Sequence, residues 1–231
     1  MRLLCIAALA AGTAFAGQAS AAVNLLANGS FETGDFTGWS YAGVTPTGFP
    51  AAVLNYNSAS GYPTGAFGEA IPPDDTSSPS PDAVGDHAAY FVADGATETL
   101  SQSVFLTAGQ YTIGFSVYVP LNGFGNPGNA TFTGSVAGVN LANFTVDAST
   151  PQQWMHFAGV ANIAADGFYD TSFLYNSAPG AAGDFVVDRA YIVAGDVTGG
   201  IPEPGTWALM ILGFGGAGAM LRMSRRRTAW A

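Results

Sequence analysis

Positive charge is nearly absent from this sequence. It contains no lysine, and residues 23–200 hold a single basic side chain, Arg189, against fifteen Asp and Glu residues. The formal charge of that segment is −14, and a surface of this sign repels phosphate backbones. The charge therefore argues against a nucleic-acid partner. It suits an extracellular protein and supplies oxygen ligands of the kind that calcium binds.

Cysteine and charged residues are also scarce. The only cysteine, Cys5, lies near the N-terminus, so the rest of the chain has no disulfide, thiolate nucleophile or cysteine-based zinc site. Charged residues make up 10% of the sequence, which excludes a solvated helical bundle or a coiled coil. Hydrophobic residues make up 48%, which argues against a disordered chain. Apart from its two unusual ends, the chain has room for one domain of about 180 residues.

The N-terminus has the order of regions found in a secretory signal peptide. Arg2 precedes an apolar run over residues 3–16, and Ala19, Ser20 and Ala21 form an A-x-A site. The pattern predicts a signal helix over residues 1–21, which signal peptidase removes between Ala21 and Ala22 or one residue later. A buried N-terminal helix is the alternative.

The C-terminus predicts a short transmembrane helix. Residues 206–221 carry no charge and would reach about 24 Å as a helix, less than the bilayer core of about 30 Å. Snorkelling arginines in the basic cluster at 222–227 can bridge the difference, and they keep that end cytoplasmic. The main domain is then outside. An ordinary permanent anchor is the alternative to a processed tail.

Residues 198–231 closely resemble the PEP-CTERM sorting signal in its PEPxxWA form. The residues that carry the resemblance are Pro202, Glu203, Pro204, Trp207, Ala208, Gly213, Phe214, Gly215, Arg225, Arg226 and Arg227. In that family the tail is a temporary anchor in the inner membrane, and the membrane peptidase exosortase recognises and cuts it. The resemblance implies export in a Gram-negative bacterium, followed by release to the cell surface or the extracellular matrix.

Short alternating runs between the two ends predict β-strands. Residues 111–119 alternate apolar and small or polar side chains, which places Phe115 on the inner face and Tyr118 on the other. Further strands are expected at 100–106, 130–136, 154–161, 171–175 and 185–193, with a long irregular stretch at 57–87. We expect an all-β domain over residues 22–197, built as an antiparallel sandwich.

The same domain resembles CenC-type carbohydrate-binding modules. The resemblance is carried by NLLANGSFETGDFTGW at 24–39, AYF at 89–91, TLSQSV at 99–104, AGQYTIGFS at 108–116 and VDRAYI at 187–192. It implies a galactose-binding-like jelly roll whose members bind diverse ligands. Two positions depart from the pattern, because Arg189 stands where the closing motif has a second Asp and Ala190 stands where valine is usual.

The resemblance also implies a structural calcium ion between the opening and closing strands, with Glu32 and Asp188 as carboxylate ligands. The strand alternation puts Asp188 on the inward face, where a carboxylate needs a cation or hydrogen-bond donors. The alternative is that Asp188 pairs with Arg189 or with backbone amides and that Glu32 is a solvated turn residue.

Sugar binding requires exposed aromatic rings that stack on C–H faces. The candidate ligand-binding residues are Tyr56, Tyr62, Tyr118, Phe124 and Trp154. Catalytic patterns are weak, because His87 and His156 have no metal-ligand spacing and no G-x-S-x-G motif occurs. We therefore predict a non-enzymatic protein of the cell surface or biofilm matrix that binds exopolysaccharide or another glycan. The alternatives are a structural adhesion protein that binds no sugar and, third, a polysaccharide hydrolase.

Replacing Pro202, Glu203 and Pro204 by alanines tests the role of the tail. The altered protein should stay unprocessed in the inner membrane, because the recognition sequence is gone while the apolar span is intact. Cell fractionation and the mass of the released protein measure this. Release at the normal mass would contradict the role of these three residues in sorting.

Overall fold

Two five-stranded antiparallel sheets make up the domain in the computed structural model, which describes residues 22–75 and 77–195. The first sheet has the order β1-β4-β9-β6-β7, formed by Ser40–Val44, Thr97–Leu106, Gly167–Ser177, Ala130–Val136 and Val139–Thr145. The second has the order β2-β3-β10-β5-β8, formed by Ala52–Asn55, His87–Phe91, Phe185–Ala194, Gly109–Tyr118 and Trp154–Ile163. The predicted all-β jelly-roll sandwich is confirmed.

The predicted signal helix, transmembrane helix and sorting tail lie outside the described residues. Within the described ranges, no helix is both long enough and apolar enough to span a bilayer. The helical elements there are one turn of α-helix, α1 at Leu121–Phe124, and a 3₁₀ turn at Val146–Ala148.

All six strands expected from alternation are present, and four others were missed or only partly indicated. Strand β1 is exposed along its whole length, β2 has four residues, and the β6–β7 pairing shifts register between Gly134 and Ser135. None of these shows a clean two-residue alternation, so the sequence pattern did not reveal them. The CenC resemblance had indicated the end of β3.

An aromatic cluster fills the space between the two sheets. The Phe115 ring of β5 is 1% exposed and lies 5.1 Å from Phe173, 5.4 Å from Phe157 and 6.0 Å from Phe132, measured between ring centroids. Gly134 makes room for it, because a Cβ there would lie 2.2 Å from the Phe115 ring. This packing fixes the inner faces of both sheets.

A second apolar core lies on the other face of the second sheet. Residues 56–75 and 77–86, which we call the cover segment, run over this face between β2 and β3. The buried side chains of this core are Leu54, Tyr56, Ala66, Ile71, Ala88, Tyr90, Val92, Tyr118 and Val186. The expectation that Tyr118 faces outward is therefore wrong, since the cover segment leaves it only 2% exposed.

Phe115→Ala tests the inter-sheet core. It removes the ring shared by three aromatic neighbours, so the free energy of unfolding should fall by about 3–5 kcal/mol. Phe168→Ala is the matched control, because Phe168 is 74% exposed and should cost about 1 kcal/mol or less. Urea denaturation measures both, and equal losses would contradict the assigned core.

Candidate functional site

Arg189 attaches the cover segment to the second sheet. It lies in a β-bulge of β10 between Asp188 and Tyr191, with φ at 50°, and is 5% exposed. Its guanidinium donates hydrogen bonds to three backbone carbonyl oxygens of the cover segment, those of Asp75 at 3.0 Å, Ser80 at 3.1 Å and Asp82 at 2.9 Å. Arg189, which departs from the closing motif of the resembled modules, thus has a structural role.

Asp188, one of the two expected calcium ligands, is fully buried and already has donors. The Tyr56 hydroxyl donates to its Oδ2 at 2.5 Å, and the Arg189 backbone N–H donates to its Oδ1 at 2.6 Å. Burial raises the pKa of Asp188 well above its ordinary value, and the Tyr56 hydrogen bond opposes the shift. Asp188 lies on the same side as Val186, toward the cover segment, and the bulge after it places Ala190 in the inter-sheet core, so the expected sharing of one inward face by Asp188 and Ala190 is wrong.

Glu32, the other expected ligand, has a separate set of partners. Its carboxylate accepts hydrogen bonds from the backbone N–H groups of Asp86 at 3.0 Å and His87 at 2.9 Å, and its Oε2 lies 3.5 Å from the His87 Nδ1. These donors satisfy both carboxylates without a cation, so the residues fit the implied ion poorly. Calcium at Glu32 and Asp188 stays a prediction.

The five expected sugar-binding aromatics do not form one surface. Tyr56 and Tyr118 lie in the second core, and the half-buried Trp154 packs on Tyr118 and donates its indole N–H to the Pro72 carbonyl at 3.0 Å. Phe124 packs against the inter-sheet core. Of the five, Tyr62 is the one that contacts exposed aromatic rings, those of Phe49 and Phe67.

Phe49 and Phe67 form the aromatic side of a cleft of ≈ 290 Å³ that the sequence analysis did not identify. Their rings are 38% and 48% exposed, and their centroids are 5.7 Å apart. The Tyr62 ring stacks on Phe67 with its centroid 6.1 Å away and is fixed by a hydrogen bond from its hydroxyl to the Pro50 carbonyl. The cleft thus presents two accessible rings on a rigid support.

Phe67 is held in an uncommon backbone conformation. It occupies the first central position of a two-residue turn, closed by the hydrogen bond from the Glu69 N–H to the Ala66 carbonyl, and its φ is 50°. Gly68, at φ 95°, occupies the second central position. A bulky residue at positive φ is strained, and such strain is found disproportionately at binding sites. The turn projects the Phe67 ring into solvent beside the cleft.

Polar groups line the rest of the cleft. They are Asp94, Asn122, Asn126 and Asp184, with Val92 and Ala181. Asp184 is 4% exposed and accepts a hydrogen bond from the Tyr90 hydroxyl at 2.5 Å. Burial raises the pKa of Asp184 to about 7; the Tyr90 bond opposes this shift, and Asp94 and Glu69 add to it. The neutral form of this carboxyl group is therefore favoured over a wider pH range than in an exposed aspartate.

The sequence holds a weak signal for this cleft. Phe49 lies between Gly48 and Pro50, and Phe67 precedes Gly68, so both aromatics interrupt turn-forming residues rather than an alternating strand. Isolated aromatic residues at turns have few neighbouring core residues to pack against. Their convergence with residues from beyond β3, around α1 and before β10 is a tertiary effect that no local pattern contains.

Comparison with known proteins bears first on the tail. The model of the PEP-CTERM protein-sorting motif matches residues 200–227. The chain carries a PEP-CTERM sorting signal. This confirms the resemblance read from the sequence, and the PEP-CTERM signal marks the chain for export and membrane-anchored sorting. No curated protein matches this sequence.

Several solved structures are similar to the domain that precedes the PEP-CTERM tail. TmCBM61 in complex with β-1,4-galactotriose is 20% identical at a TM-score of 0.45, over 75% of this chain and 99% of that one. The CBM22-2 xylan-binding domain of Paenibacillus barcinonensis Xyn10C is 11% identical at a TM-score of 0.38, over 72% of this chain and 98% of that one. The enzymatically active domain of bacteriophage CBA120 tailspike protein 4 is 12% identical at a TM-score of 0.42, over 73% of this chain and 21% of that one. At these values the likeness carries no functional inference.

Asp184→Asn tests the electrostatics of the cleft. Since the folded state raises the pKa of Asp184 from 3.8 to about 7, this group's stabilising contribution is complete below about pH 4 and is lost as the pH rises to 7. The loss is on the order of 4 kcal/mol. Urea denaturation at pH 4.5 and pH 8 should show a smaller decline in unfolding free energy for the variant. An unchanged decline would contradict the assignment.

Proposed function

We propose that this is an exported protein, sorted by exosortase, whose domain binds a glycan non-catalytically in the cleft between Phe49 and Phe67. The observation that carries the proposal is the pairing of two accessible, braced aromatic rings with carboxylate and amide side chains across one concavity. Aromatic faces stack on the C–H faces of sugar rings, and the polar wall can bond to hydroxyl groups. Exopolysaccharide of the producing cell or its biofilm matrix is the ligand available to a protein sorted in this way.

The charge of the cleft narrows the class of glycan. Asp94 and Asp184 line it and Glu69 lies near it, while the one arginine of the domain is buried beneath the cover segment. Such a lining repels uronic acids and sulfated sugars. We therefore expect uncharged polymers or amino sugars to bind in preference to anionic ones.

The cleft contains two carboxyl groups, the residue type that glycosidases use, so the hydrolase alternative also needs a test. A carboxyl group with a pKa of about 7 resembles the general acid of a glycosidase. However, the Asp184 carboxyl is turned to the buried Tyr90 hydroxyl, and the Asp94 carboxylate accepts the Ala182 backbone N–H at 2.8 Å. Both groups have structural partners, which supports binding without turnover.

A glycan array with the full chain in mild detergent, followed by calorimetry on the best ligand, tests the proposal. Phe49→Ala and Phe67→Ala should each weaken binding roughly tenfold, because each removes one stacking surface. Phe168→Ala is the matched control: it also removes an exposed ring, but one that pairs with Phe105 on the first sheet.

Three results would count against the proposal. Absence of binding to any glycan would favour the structural matrix or adhesion alternative. Binding that Phe168→Ala weakens but Phe49→Ala does not would place the site on the first sheet. Release of new reducing ends, abolished by Asp184→Asn, would establish a hydrolase.

A further inference from the structure

A cluster of polar side chains lies where the cover segment meets strand β8, away from the residues that line the cleft. Asp74 and Asp75 of the cover segment and His156 of β8 each offer one potential ligand atom, and these atoms lie within 4.8 Å of one another. The His156 Nε2 is 2.9 Å from Asp75 Oδ1, and the His156 Nδ1 is 3.8 Å from Asp74 Oδ1. The cluster joins the cover segment to an edge strand of the second sheet.

Asp74 is the unusual member of this cluster. Its side chain has no exposed surface, and neither of its carboxylate oxygens has a donor in good hydrogen-bond geometry, although the Ser116 hydroxyl and the Asp75 backbone lie close enough to lower its pKa. Its closest cation is the Arg189 Nη1, 3.6 Å from Oδ2, which is beyond hydrogen-bonding distance. Burial raises the pKa of Asp74, and Ser116, His156 and Arg189 oppose the shift. A buried carboxylate without hydrogen bonds is costly unless something further binds it.

The surroundings of His156 orient its ring for ligation. The His156 Nδ1 is 2.9 Å from the Ser116 hydroxyl oxygen, and the Ser116 hydroxyl can itself donate to the Ser78 hydroxyl at 3.3 Å. In the tautomer protonated at Nδ1, His156 donates to Ser116 and its Nε2 lone pair faces the Asp75 carboxylate. A cation between Nε2 and Asp75 Oδ1 would take the place of the proton that joins these two atoms in the other tautomer. A second-sphere partner on the far ring nitrogen is typical of a ligating histidine.

We propose that Asp74, Asp75 and His156 bind a zinc ion that cross-links the cover segment to β8. One imidazole and two carboxylates form a ligand set that zinc accepts, with water completing a tetrahedron. The ion can enter from solvent, because the Asp75 side chain is 56% exposed.

Zinc titration of the full chain in mild detergent tests this proposal. Cys5→Ser is used as the background, so that the two histidines are the only imidazole or thiol groups. After treatment with a chelator, zinc should bind at one ion per chain by calorimetry, and the melting temperature should rise with the logarithm of free zinc.

Matched variants locate the site. His156→Gln and Asp75→Asn should remove the zinc response, and Ser116→Ala should weaken zinc affinity about 10- to 100-fold through loss of the second-sphere partner. His87→Gln is the control, because it removes the other histidine, which pairs with Glu32 instead. It should leave the zinc response intact.

Each outcome of the titration either supports the metal site or overturns it. Manganese acting through His156 in place of zinc would support the site and change the assigned ion. A melting temperature that ignores zinc and manganese, or a zinc response that survives His156→Gln, would overturn the proposal. Stabilisation by calcium alone, lost in Asp188→Ala but not in His156→Gln, would overturn it and favour the pair Glu32 and Asp188.

Discussion

The buried guanidinium of Arg189 is the contact on which the outer half of this domain depends. It is the only lysine or arginine in a segment of charge −14, and it is placed at a β-bulge under the longest irregular stretch of the chain. Three backbone carbonyls of the cover segment accept hydrogen bonds from it. Because burying those carbonyls without a donor would be costly, Arg189 permits the segment to pack on the sheet. Both faces of the second sheet are thereby enclosed.

This enclosure determines which aromatic rings reach solvent. Tyr56, Tyr118 and Trp154 stabilise the cover segment, while the turn at Phe67 and the loop at Phe49 leave two rings exposed at its margin. The acidic residues divide in a similar way. Asp74 and Asp188 lie in the interior near Arg189, whereas Asp94 and Asp184 line the cleft.

The sequence predicted the core between the two sheets well, and it predicted poorly the outer face of the second sheet, on which the cover segment packs. Alternation in strand β5 identifies Phe115 as a core residue, and the closing motif locates β10. The same alternation assigned Tyr118 to solvent, because a period of two residues separates two faces and does not reveal whether a distant loop covers one of them. The bulge at Arg189 likewise reverses the side on which Ala190 lies, and the cleft forms only when the segments that carry Phe49, Phe67, Asn122 and Asp184 meet.

Hydrogen–deuterium exchange on the full chain, with and without Arg189→Met, tests most directly whether this one side chain holds the cover segment. Peptides covering residues 71–83 of the variant should exchange much faster, while β4 and β9 keep their protection because the inter-sheet core is intact. Unchanged exchange in residues 71–83 would contradict it, since the segment would then stay in place without the guanidinium.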